Sequence, residues 1–247
     1  MKLFTIPNFL TLGNLFCGCL ACVFVIYGTY DLIIFLFAGS LIFDFFDGMI
    51  ARLLKSNSEI GIQLDSLADM ISFGFLPGIL MSKMLNIDAL LFCIKEFLNV
   101  TINPCENVSI LSLIGLFIIL FSALRLAKFN VDTEQSTYFK GLATPANTIL
   151  IFSLFWIQNQ NGFIISPKFD LYILIGITLI SCWLLIANIP IFSFKFKGFA
   201  WKDNHYKYVF LIISIILLIL FQMNSVPFII LLYIIISIIF RKKIIHA

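Results

Sequence analysis

Apolar residues run through this chain in long stretches, interrupted by short clusters of charge, Gly, Asn and Pro. Crossing a bilayer as a helix takes about twenty mostly apolar residues. Eight stretches approach that length, at roughly residues 10–29, 32–54, 61–85, 110–128, 145–158, 171–189, 208–222 and 226–240. The fifth, seventh and eighth are short, and the last two form a tight hairpin broken at Asn224 and Pro227. The pattern predicts an all-α fold: a polytopic membrane bundle of about eight transmembrane helices. It reads as one integral membrane domain over residues 1–247, without internal repeat or low-complexity linker. In the long segment 86–109, Leu90, Leu91, Ile94 and Leu98 suit one face of a helix lying on the membrane surface; an ordinary loop fits them equally well.

Composition and charge sharpen this picture. The 247 residues are 61% hydrophobic and 12% charged, where a soluble domain is about a quarter charged. Place the N-terminus in the cytoplasm, and thirteen of the sixteen Lys and Arg residues fall on the cytoplasmic side of eight crossings. Only Lys83, Lys95 and Lys168 fall outside. Cytoplasmic loops carry such an excess of basic residues, so both termini are expected in the cytoplasm. One helix more or fewer near the middle would mix the charges. No basic stripe with interleaved aromatics points to nucleic acid. No cleavable signal peptide stands out, because the segment after Lys2 lacks a basic cluster and leads into a run long enough to span. Cys19 and Cys22 make a lone C-x-x-C without the second pair a zinc site needs, and with Cys17 they read as small helix residues. Cys93 and Cys105 share one loop and would pair only if it faces an oxidising side.

Candidate chemistry concentrates between residues 44 and 69. Asp44 and Asp47 lie near the end of the second stretch, Asp65 and Asp69 near the start of the third. Spacings of three and four residues put each pair on one helix face. Asp44, Asp47, Gly48 and Ala51 share a face, as do Gly61, Asp65, Ala68, Asp69 and Ser72. Residues 55–60 form the turn between the helices. At 1.5 Å per residue, Asp47 lies roughly 10 Å before it and the second pair roughly 6–12 Å after it. The four acids are thus expected at one depth, just below the cytoplasmic surface. A carboxylate in a membrane segment is costly, and four converging ones cannot all stay ionised without cations. Hard divalent ions with oxygen ligands, Mg²⁺ or Mn²⁺, are the natural counter-charge, and a metal beside lipid headgroups suggests a phosphate or pyrophosphate ligand. Pairing with Arg52, Lys55 or Arg125 is the structural alternative, but four acids outnumber the nearby bases. A cation pathway of a transporter is the rival from another class; the related halves or matching interrupted helices of many transporters are absent.

Asp44-x2-Asp47-Gly48-x2-Ala51-Arg52-x8-Gly61-x3-Asp65-x3-Asp69 resembles, position for position, the signature of the CDP-alcohol phosphatidyltransferase family. The resemblance implies a membrane-embedded, metal-dependent homodimeric enzyme that transfers a substituted phosphate from a CDP-linked donor to an alcohol and releases CMP. By the same resemblance, Asp44, Asp47 and Asp65 hold the metal, and Asp69 adds a ligand and serves as general base. Gly48 and Ala51 make room for the nucleotide, Gly61 allows close approach beside it, and Arg52 is the signature's basic member. Together with Thr11, Asp44 and Asp65, these residues form the implied donor-binding set.

Further runs resemble the branch of the family whose acceptor is serine. They are Pro7-Asn8-x2-Thr11-x2-Asn14, Asp65-Ser66-Leu67-Ala68-Asp69-x2-Ser72-Phe73-Gly74-x2-Pro77, and Arg125-Leu126-Ala127-Lys128-Phe129-Asn130. Phe139-Lys140-Gly141-Leu142-Ala143-Thr144-Pro145, Asn188-Ile189-Pro190 and Ser193-Phe194-Lys195 extend the likeness. Lys128 and Ala143 depart from the branch's usual Arg and Pro. The catalytic core is then residues 6–195, and the hairpin at 208–240 carries no recognisable chemistry. The resemblance implies CDP-diacylglycerol as donor, L-serine as acceptor, and an active site on the cytoplasmic side of the inner membrane. Ser72, Arg125, Lys128 and Lys140 are the candidates for holding serine or phosphate. Glycerol 3-phosphate or an inositol phosphate are the alternative acceptors.

Overall fold

In the computed structural model, which describes residues 4–55, 58–85, 110–132, 138–162, 164–193 and 201–245, helices occupy the predicted positions, but capping chemistry sets their ends more than apolarity does. Helix α1, Ile6–Tyr27, starts before its apolar run because Thr5 caps it, accepting the Asn8 N–H at 3.4 Å, with Pro7 in the first turn. Helix α2 is Ile33–Leu53. Helix α3, Glu59–Leu85, starts at the Ser58 cap, whose hydroxyl accepts the Gly61 N–H at 3.0 Å. The expected surface helix or loop at 86–109, the Cys93–Cys105 pair and Phe194-Lys195 lie outside the described residues.

Six described stretches are long and apolar enough to cross a membrane: Ile6–Tyr27, Ile33–Leu53, Glu59–Leu85, Leu111–Val131, Phe169–Ile186 and Asn204–Ile239. The chain is an all-α polytopic membrane protein, apart from one short two-stranded ladder among the described residues. Phe16, Phe35, Leu120 and Ile219 are exposed on these helices, as lipid-facing side chains must be.

Two compact units divide the chain, Met1–Asn130 and Val131–Ala247. In the first, α1 packs against both α2 and α3. A 3₁₀ turn, Ile110–Leu116, leads into α4, Phe117–Val131. Small residues let α3 and α4 approach closely. A Cβ on Gly74 would lie 3.1 Å from Ser122 Cβ, one on Gly78 would strike Ile119, and one on Gly115 would strike the backbone of Ser82. The sequence suggests a loosened or kinked α3 at Gly74, Pro77 and Gly78. The irregularity observed is a π-helical turn at Met70–Phe75, just before Pro77, which has no N–H to donate to the preceding turn. Lys83, one of the three basic residues expected outside, donates to the Val25 carbonyl at 2.7 Å and lies 5.0 Å from the Tyr30 ring centroid. It adds a second donor to a carbonyl in the last turn of α1, which also accepts the Gly28 N–H at 3.3 Å.

The second unit holds β1, Tyr138–Lys140, then α5, Thr144–Asn161, and α6, Pro167–Ile186. Strand β2, Pro190–Phe192, follows, with α7, Trp201–Phe221, a 3₁₀ turn at Gln222–Ser225, α8, Val226–Ile239, and α9, Arg241–Ile245. The strands pair antiparallel, Tyr138 opposite Phe192 and Lys140 opposite Pro190. Gly141 follows at φ +84°, and a Cβ there would sit 2.7 Å from the Ala187 carbonyl and 2.8 Å from that of Leu184. Glycine is thus required twice, by its dihedral and by the close approach. Its N–H donates to the Ile189 carbonyl at 2.8 Å, and the Leu142 N–H caps the end of α6 by donating to Leu184 O at 2.9 Å.

Helices α7 and α8 fold back on each other as the hairpin expected from sequence: Tyr206 stacks on Phe240, and Phe210 meets Tyr233. Though they carry no recognisable chemistry, they enclose β2. Phe192 packs edge-on against Tyr206, Phe210 and Tyr233, at 5.5, 5.7 and 4.7 Å between ring centroids. The Tyr233 hydroxyl donates to the Phe192 carbonyl at 2.7 Å.

Candidate active site

Three helices of the first unit build the site. On α2, Ser40, Asp44 and Asp47 recur at helical spacing; on α3, Asp65, Asp69 and Ser72 do the same. On α1 the matching face is Thr11, Asn14 and Gly18, buried throughout. Asp44, Asp47 and Asp65 converge, each offering a carboxylate oxygen, with all three oxygens within 4.8 Å of one another. Asp47 is 4% exposed, and Asp44 and Asp65 are half-buried. The group therefore has an inner wall and an open side.

An all-oxygen, anionic donor set of this kind suits a hard divalent ion and does not suit zinc, which favours nitrogen and sulfur. Asp69 lies outside the three-oxygen group but sits against Asp44. The Thr11 hydroxyl is 2.6 Å from Asp47 Oδ2 and 3.1 Å from the Pro7 carbonyl, so its single proton serves the nearer carboxylate.

The remaining predicted residues fall as follows. A Cβ added to Gly48 would meet nothing within 4 Å, so the acidic face has free space there. Ala51 beside it is half-buried. Arg52 is exposed, and its Nε donates to the Gly48 carbonyl at 2.8 Å. Gly61 lies against α1: a Cβ would be 3.3 Å from Asn8 Oδ1. Ser72 is fully buried and donates to the Asn14 carbonyl at 3.2 Å. Asn130 Nδ2 donates to Ser66 Oγ at 2.8 Å, which brings the basic end of α4 to the acidic end of α3. Arg125 there is 4% exposed with its guanidinium 5.4 Å from the Phe129 ring centroid, and Lys128 is half-buried. Lys140 belongs to the second unit, where it pairs with Asp132 at 2.9 Å.

Two contributors carry no assigned role in the sequence reading. Asn14 Nδ2 donates to Asp69 Oδ1 at 3.3 Å, and the Ser40 hydroxyl donates to Asn14 Oδ1. Their signal was positional: Asn14 stands three residues after Thr11 and Ser40 four before Asp44, each on the face that meets the acids.

The fold and site define an all-α membrane protein whose first helices gather an oxygen-only acidic group of a kind that could hold a hard cation. The comparisons with known proteins carry this further. A model of the CDP-alcohol phosphatidyltransferase family matches residues 4–185. The CDP-diacylglycerol–serine O-phosphatidyltransferase of Helicobacter pylori is 29% identical over 199 residues, 78% of this chain and 74% of its own. The enzymes of that name from Bacillus subtilis and Methanocaldococcus jannaschii are 33% identical over 141 residues and 31% over 185. These cover 57% and 73% of this chain, and 69% and 73% of theirs. The chain belongs to the CDP-alcohol phosphatidyltransferase family.

Proposed function

We propose that the protein is a phosphatidylserine synthase, transferring the phosphatidyl group of CDP-diacylglycerol to the hydroxyl of L-serine and releasing CMP. The observation that carries this reading is the meeting of Asp44, Asp47 and Asp65 with Asp69 standing just outside their group. In this reading three acids would hold Mg²⁺ or Mn²⁺, and the fourth would take a proton. The serine acceptor is supported by the run from Asp65 to Pro77 and by the names of the relatives in bacteria and an archaeon. The topology belonging to this reading has eight crossings with both termini cytoplasmic, so that the acids open to the cytoplasm of the cell membrane. A homodimer follows from the family resemblance.

A divalent ion bound at the three carboxylates supplies positive charge for the diphosphate and for the leaving CMP. The acyl chains of the donor stay in the bilayer, and the space beside Gly48 receives the nucleotide. Asp69 takes the proton of the serine hydroxyl. The freed oxygen attacks the phosphorus that bears diacylglycerol, its bond to CMP breaks, and the proton passes from Asp69 to water. Within the first unit, Arg125 and Lys128 are the candidate cations for the serine carboxylate and the phosphates.

The test is an acceptor panel on membranes containing the full chain, CDP-diacylglycerol and Mn²⁺. CMP release is expected with L-serine. Release driven by glycerol 3-phosphate or an inositol phosphate, and not by serine, would overturn the acceptor assignment.

A further inference from the structure

We propose that Asn14 is a positioning residue for the general base: it holds one oxygen of Asp69 and so fixes the carboxylate that receives the acceptor's proton. The proposal rests on the reading of Asp69 as base given above, and it begins from burial. Asn14, Ser40 and Ser72 have no exposed surface. An amide in such a place is costly unless both its ends are bonded. An ionised Asp69 can only accept a hydrogen bond, and an amide donates only through its nitrogen. Nδ2 must therefore face Asp69, which it does at 3.3 Å from Oδ1. Oδ1 of Asn14 is then left for the Ser40 hydroxyl, which donates to it. The two contacts fix each other: if the amide turned over, it would set a carbonyl oxygen against a carboxylate.

The backbone holds the same register. Ser72 Oγ donates to the Asn14 carbonyl at 3.2 Å, one turn beyond Asp69. A Cβ on Gly18 would lie 3.0 Å from Ser72 Cα, so the bare glycine lets α3 close onto α1 at this level. The π-helical turn Met70–Phe75 begins directly after Asp69 and contains Ser72. Such turns re-aim side chains relative to a regular helix. With Oδ1 of Asp69 held by the amide and Asp44 alongside, the carboxylate is fixed in one orientation. A base misplaced by about 1 Å can cost on the order of 100-fold in rate.

A purely structural knot between three membrane helices makes a different forecast from a positioning role, and steady-state kinetics of the full chain in detergent–lipid micelles separate them. Asn14→Ala is expected to lower kcat for serine-dependent CMP release about 10- to 100-fold. KM for serine and for CDP-diacylglycerol, and the Mn²⁺ concentration giving half-maximal rate, stay within about twofold. Ser40→Ala keeps the donor but loosens it, and should lower kcat about three- to tenfold with the same KM values. A wild-type kcat in Asn14→Ala, or a loss appearing wholly in KM, overturns the proposal. If Asn14→Ala fails to insert, Ser40→Ala decides alone, and an unchanged kcat overturns it. Failure of the serine reading is seen separately, as wild-type protein that releases CMP with another acceptor only; the variants are then measured with that acceptor.

Discussion

The two units of the chain use the same residue in opposite ways. In the second, Asp170 has no exposed surface, yet its needs are met locally: the backbone N–H groups of Ile164, Ile165 and Ser166 donate to it at 2.7, 2.8 and 3.1 Å. Both its oxygens are engaged at the start of a helix, where negative charge is also favoured by the helix dipole. In the first unit, Asp44, Asp47 and Asp65 turn their oxygens toward each other, with Asp69 alongside. A buried carboxylate satisfied by backbone N–H groups stabilises a fold. Carboxylates converging on one another stabilise nothing unless a cation joins them. The difference that marks a site is convergence, not burial.

The sharpest way to break this comparison is to remove the charge from one acid of each kind without changing its shape. Asp69→Asn is expected to reduce serine-dependent CMP release by about 10²- to 10⁴-fold, the usual worth of a positioned general base, with insertion and thermal midpoint close to wild type. Asp170→Asn should do the reverse. Two N–H groups share Oδ1 and the third uses Oδ2, so either orientation of an amide sets its NH₂ against a backbone donor. A loss of about 2–3 kcal/mol in stability should result, with turnover per folded molecule retained. A catalytic collapse in Asp170→Asn, or full turnover in Asp69→Asn, would erase the distinction.

The acidic site was legible in the sequence because helix-face spacing is a local property. Asp44 to Asp47 and Asp65 to Asp69 state their own faces, and only five residues, 54–58, separate α2 from α3 along the chain. Helix ends were less legible. Apolarity marks the part of a helix that meets lipid, whereas Thr5 and Ser58 mark where the backbone begins to wind. The role of Asn14 was hidden because an Asn near a helix start reads as ordinary punctuation, and its partners Ser40 and Asp69 lie 26 and 55 residues away. Strands β1 and β2 were missed outright. Three residues are too few to display alternation, and nothing near Tyr138 announces a partner at Phe192. The aromatic residues of the last hairpin gave no sign of their packing because periodicity cannot tell lipid from a neighbouring Phe.

Thr11→Val probes the boundary of the acidic group with a smaller expected effect. Valine keeps the volume of threonine and removes the hydroxyl that lies 2.6 Å from Asp47 Oδ2. Outer partners that orient a metal ligand are worth about 10- to 100-fold in metal affinity. The Mn²⁺ concentration for half-maximal CMP release should therefore rise about tenfold, with kcat at saturating Mn²⁺ little changed. An unchanged metal requirement would remove Thr11 from the site and leave Asp47 oriented by its own helix.

The smallest effect should come from the second unit. Tyr233→Phe deletes only the hydroxyl that donates to the Phe192 carbonyl at 2.7 Å. The ring stays, and with it the edge-on contact at 4.7 Å between centroids, which carries most of the packing. What is lost is one buried hydrogen bond, about 1 kcal/mol, or about 2–4 °C in thermal midpoint for a chain of this size. Serine-dependent turnover and its Mn²⁺ requirement should not move. The measurement is sharp because the substitution is small: a fall in kcat at unchanged thermal midpoint would mean that the aromatic cluster acts on the chemistry, and the division of labour between the two kinds of buried polar group would have to be redrawn.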